Sequence, residues 1–83
     1  MTHERKILPE FLDAVKRGEK TFEVRKEEPG EPPFQPGDGL WLRGWTYTLD
    51  YTGDEWRGTI GYVLRGEQWG IMPGYAVLGL REE

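Results

Sequence analysis

Apolar residues recur at helical spacing in one stretch of this chain and at strand spacing in most of the rest. Leu8, Phe11, Leu12 and Val15 fall at i, i+3, i+4 and i+7, which predicts one amphipathic helix over residues 9–17. Pro9 suits its first turn, where the missing N–H has no helical partner to lose. Glu10 lies near the positive end of the helix dipole, and Lys16 and Arg17 near the negative end. Gly18 supplies a left-handed stop. Elsewhere the period is two. Residues 2–7 read as a charged, half-exposed edge strand. Residues 21–26 read as a second strand, with Phe22 and Val24 entering the core and Thr21, Glu23 and Arg25 on the opposite face. Residues 40–45 place Leu40 and Leu42 on one face, and Trp41, Arg43 and Trp45 on the other. Residues 56–65 alternate through Ile60, Tyr62 and Leu64, with Gly58 and Gly61 marking a bend or bulge. Residues 75–80 form the last strand.

Between these elements the chain is punctuated. Residues 27–38 hold four prolines and two glycines and read as a loop, with Phe34 pinning it and Pro36-Gly37-Asp38 as a tight turn. Residues 46–54 read as a hairpin arm, and 67–74 as a loop carrying Trp69 and Met72. The sum is an α+β fold, mainly β: a small twisted barrel of five or six strands with one α-helix covering an open end. Phe11, Leu12, Val15, Phe22, Val24, Leu42, Ile60, Val77 and Leu78 are the predicted core. Residues 1–83 make a single domain.

Composition narrows the function classes. A chain of 83 residues buries only about 60% of its unfolded surface, so the core is small. With no cysteine and one histidine, His3, neither a disulfide framework nor a thiolate or multi-histidine metal site is available, and no cofactor is implied. No apolar run approaches the roughly 20 residues of a membrane span, and no signal-peptide pattern opens the chain; a soluble cytoplasmic protein is expected. Eleven Lys plus Arg against fifteen Asp plus Glu give a net charge of −4, which argues against binding long duplexes by bulk charge. Four Trp, four Tyr and three Phe fill a small core and leave rings for stacking or for a protein partner.

The segment Gly18-Glu19-Lys20-Thr21-Phe22-Glu23-Val24-Arg25 concentrates the candidate chemistry, because an acid, two bases and a hydroxyl follow the helix on one short strand. Lys20 and Arg25 suit a phosphate or the acceptor edge of a base. Glu23 suits an exocyclic amine. The bland alternative is a structural ion-pair network. Arg43, with Trp41 and Trp45, either extends a basic aromatic cleft or lies over Trp as a cation–π pair. Glu27, Glu28 and Glu31 read as loop solvation. His3 has the one reference pKa near neutrality, about 6.5, and reads as an ordinary strand residue.

The pattern Gly18-x-Lys20-Thr21-x-Glu23-x-Arg25 after a helix, followed by Pro36-Gly37-Asp38, resembles the ASCH domain. His3-Glu4-x-Lys6-Ile7-x-Pro9, Tyr51-Thr52-Gly53 and Pro73-Gly74-Tyr75-x-Val77-Leu78-Gly79-Leu80 extend the resemblance to the short ASCH-like family of phages and bacteria. The resemblance implies a PUA-like barrel that binds RNA or nucleotides beside the motif, with Lys20, Thr21, Glu23, Arg25, Arg43 and Trp41 as the ligand-binding set. One similar bacterial group hydrolyses N4-acetylcytidine through a motif lysine, a threonine three residues later and a distant glutamate that has no counterpart placed on this chain. Lys20 matches that lysine, Glu23 stands at the threonine position, and these two would be the catalytic pair of an amidohydrolase. A third reading is a phage-type regulator that binds a host protein.

Overall fold

The structure, a computed structural model, describes residues 1–82. The elements run β1 (Thr2–Ile7), α1 (Pro9–Lys16), β2 (Phe22–Lys26), β3 (Gly39–Thr46), β4 (Asp50–Arg65) and β5 (Tyr75–Glu82). All five strands share one sheet in the order β1-β3-β4-β5-β2. β1 runs parallel to β3, and the other neighbours are antiparallel. The sheet curls into a half-barrel. Its two edges, β1 and β2, are consecutive in the chain, and α1 joins them across the opening.

The helix forms where its apolar period falls. Leu8 is its extended N-cap residue and Pro9 opens the first turn. Gly18, at φ 78°, ends it as predicted. The Gly18 N–H donates to the Val15 carbonyl and the Glu19 N–H to that of Ala14, each at 3.0 Å, which is a Schellman stop. Leu12 and Val15 are buried against the sheet. The approach is close: a Cβ on Gly44 would lie 2.5 Å from Thr52 Oγ1 and 3.1 Å from Leu12 Cδ2, so any larger residue here requires its neighbours to shift. Gly44 also interrupts the β3–β4 register, and the β4–β5 register shifts between Ile60 and Tyr62, at Gly61. Such bulges bend a sheet toward closure.

Leu40 and Leu42 of β3, Trp56 and Ile60 of β4, and Ala76 and Leu78 of β5 complete the core with Ile7 and Phe34. Phe34 does pin the 27–38 loop, helped by a residue read as mere solvation. Glu27 accepts both Arg65 Nε and Nη2 at 3.0 Å and the Phe34 N–H at 3.0 Å. At the tight turn, Asp38 accepts from the Gln35 N–H, and His3 Nε2 lies 2.8 Å from Asp38 Oδ2. An ionised carboxylate only accepts, so that imidazole nitrogen is the donor. His3 is therefore a buried tie between β1 and the turn rather than a plain strand residue. Its ring also packs 4.7 Å from that of Phe34.

Four packing expectations are corrected. β2 has the opposite phase: Phe22 and Val24 are 45% and 52% exposed, and Glu23 is 4% exposed. Cross-strand partners point the same way. Glu23 pairs with Leu78 and Arg25 with Ala76, so the buried face of β5 takes the charged row of β2 inward. Phe11 is half-exposed, because it lies about 100° around the helix from Leu12 and looks past the sheet edge. Val77 pairs with Val24 on the outer face and is only half-buried. The bulge at Gly61 shifts the alternation of β4, which leaves Tyr62 exposed and packs Val63 on the core. β4 also begins at Asp50 rather than Trp56, because the hairpin arm is a continuous extension of β3 and β4.

Candidate functional site

The Schellman stop delivers Lys20. Its own N–H donates to the Ala14 carbonyl at 3.0 Å, which holds the residue beside the first residues of β2. From there Lys20 Nζ donates to the Phe22 carbonyl at 2.7 Å and to Glu23 Oε1. Arg25 Nε donates to Glu23 Oε2 at 2.6 Å. One buried carboxylate thus lies between two cations, one per oxygen. Unpaired, it would cost several kcal/mol to bury. The cluster has a surplus of one positive charge in a chain of net charge −4.

These three residues form the floor of a cleft of about 350 Å³. One wall is the end of β1, with Lys6 and Ile7. Leu8 and Phe11 of the helix region form the second, and Phe22 and Val24 of β2 the third. The cleft is the seam of the half-barrel, where the two sheet edges face each other without pairing. The exposed apolar row of β2 is its lip. Lys20 Nζ also lies 5.1 Å from the centre of the Phe22 ring. A second, wider cleft of about 770 Å³ adjoins the first and shares Lys6 and Arg25 with it. Arg5 and Lys26 add positive charge there, and Glu4, Glu28 and Glu31 negative charge.

The structure brings together Lys20, Glu23 and Arg25 but separates the rest of the expected set. Thr21 is exposed and borders a different depression, with Tyr62, Leu80 and Arg81. Trp41 and Arg43 lie on the outer face of β3. There the Arg43 guanidinium lies 4.8 Å from the Trp41 ring centre and 3.8 Å from that of Tyr51. Arg57 covers Trp41 at 4.0 Å, and Trp41 Nε1 donates to Glu55 Oε1 at 2.6 Å. Arg43 donates to Glu4, whose hydrogen bond raises the Arg43 pKa further above the ordinary guanidinium value. Here the cation–π ladder wins over the shared cleft.

Lys6, Ile7, Leu8, Phe11, Phe22 and Val24 are the cleft residues that sequence reasoning missed. Strand alternation assigned Val24 to the core, and helical spacing assigned Phe11 there. Their common signal, the unbroken run from β1 through α1 to β2, becomes legible once those two strands are known to be edges. Among the described residues, no three His, Cys, Asp or Glu side chains are grouped to hold a metal ion. No described helix is long and apolar enough to cross a membrane.

No curated protein is significantly similar to the chain. A family model described as a domain of unknown function, DUF3850, matches residues 2–80, and with nearly its whole length covered the chain belongs to that family.

Proposed function

We propose that this protein binds a nucleotide or a short single-stranded RNA in the cleft between β1, α1 and β2. The observation that carries the reading is the pairing of a charged floor with apolar walls. Lys20, Glu23 and Arg25 lie beneath Phe11, Phe22 and Val24 in about 350 Å³. Small-ligand sites have this composition, and their volumes start near 300 Å³. A base stacks on apolar and aromatic walls, while lysine and arginine hold its polar edge or a phosphate. The finer family reading, an ASCH-type domain on a PUA-like barrel, belongs to the same proposal. It is supported by the Gly18-x-Lys20 motif, the single helix and the curled sheet.

The test is a titration with nucleosides, nucleotides and RNA oligomers, repeated with Arg25→Ala after a melt has shown the variant to be folded. Binding that weakens for every phosphorylated ligand, with a shallower salt dependence, supports a phosphate contact at Arg25. No binding of any nucleic-acid component at millimolar concentration overturns the proposal. Turnover of N4-acetylcytidine to cytidine, abolished by Lys20→Ala, would replace it with an amidohydrolase.

A further inference from the structure

The hydrogen bonds at the cleft floor are unequally committed. The Glu23 side chain is 5% exposed, and both of its oxygens are taken, by Lys20 and by Arg25. The Lys20 and Arg25 side chains are 19% and 21% exposed and border the cleft. An ammonium has three protons and a guanidinium five N–H groups. Lys20 uses two of its protons, on Glu23 and on the Phe22 carbonyl. Arg25 donates to Glu23 alone among the described residues. The carboxylate is enclosed, and the two cations that keep unused donors line the cleft. A ligand entering the cleft meets the unused N–H groups of Lys20 and Arg25 before the enclosed oxygens of Glu23.

We infer that the cleft selects a nucleobase with a keto oxygen at the position opposite its sugar, and rejects one with an amino group there. Glu23 is a positioning residue that aims the two cations and does not touch the ligand. The inference rests on nucleotide binding at this site and adds the class of base. In a pyrimidine nucleotide, ring position 4 lies across the ring from the sugar. It is the group that reaches a floor while the sugar and phosphate remain at the mouth of the cleft. Uracil has an acceptor at that position, cytosine a donor. A cytosine amine would meet the Lys20 and Arg25 donors before the enclosed Glu23 oxygens, and unmatched buried donors are costly. Hypoxanthine and adenine differ in the same sense at purine position 6.

The experiment compares UMP with CMP, and IMP with AMP, by calorimetry on the unmodified protein, and then on Lys20 variants that a melt has shown to be folded. UMP and IMP binding about tenfold or more tighter than their amino counterparts supports the inference, in keeping with the discrimination of a matched base contact. Equal affinities, or preference for CMP and AMP, overturn it and leave nucleotide binding intact. Binding by none of the four overturns both. In Lys20→Met the keto preference shrinks toward unity, and in Lys20→Arg it returns. A variant that weakens all four ligands by the same factor assigns Lys20 a structural role and also overturns the inference.

Discussion

β2 and β3 carry the same alternation of apolar and charged residues, and the molecule uses it in opposite senses. In β3, Leu40 and Leu42 face the core, while Trp41 and Arg43 face outward. In β2, Glu23 and Arg25 face inward, and Phe22 and Val24 are half-exposed. The difference follows from position in the sheet. β3 has β1 on one side and β4 on the other, with the helix packed over its inner face. Every inward position there is closed off, and an unpaired charge would cost several kcal/mol. β2 has one neighbour and an open seam. Its inward row borders a cleft, where Lys20 and Arg25 enclose the carboxylate and stay partly wet. The outward row leaves unrealised part of the roughly 1.5–3 kcal/mol that burying each apolar side chain would contribute. An inverted strand of this kind gives up stability and gains a charged floor with an apolar lip.

The largest effect that would break this comparison is a difference in truncation cost. Leu42→Ala should lower stability by about 2–5 kcal/mol, because a fully buried leucine leaves a cavity. Val24→Ala should change it by less than about 0.5 kcal/mol, as surface substitutions do. Urea titration of both variants decides, and equal costs would put Val24 in the core. Next in size is removal of the inward charge. Glu23→Gln should cost about 1–3 kcal/mol, since two cations lose their carboxylate partner. Glu4→Gln, which breaks the exposed pair with Arg43 on the outer face, should stay within about 0.5 kcal/mol. A Glu23→Gln variant as stable as the parent would mean that the cluster is solvated rather than enclosed.

The smallest effect concerns the other sheet edge. Asp38 is held below the usual carboxylate range, chiefly by its hydrogen bond to His3. Its folded pKa lies below the unfolded one, so the tie stabilises the fold above the unfolded value and is lost as pH falls through the folded one. Stability measured downward from pH 6 should therefore decline below about pH 4. Asp38→Asn should flatten that decline. An unchanged acid limb would show that this tie to β1 is not linked to folding.

Elements defined by neighbours in sequence were readable from residues alone. The helix at Pro9–Lys16, its stop at Gly18 and the break at residues 27–38 depend on a 3.6-residue period, on a positive φ and on prolines, all of which act within a few residues. The ingredients of the floor were legible as well, because Lys20, Glu23 and Arg25 sit within six positions on one turn and strand. The walls were not. Phe11 and Val24 look like core residues until β1 and β2 prove to be the two edges of the sheet.

An alternating strand has two faces, and its own residues state what each would carry without stating which one is buried. That choice is made across the sheet, through long-range pairing. Opposite Leu78, Glu23 must point inward; opposite Val77, Val24 must point out. A shift of one residue would reverse every side chain. The register with β5 therefore turned a strand that reads as core into the floor and lip of a cleft.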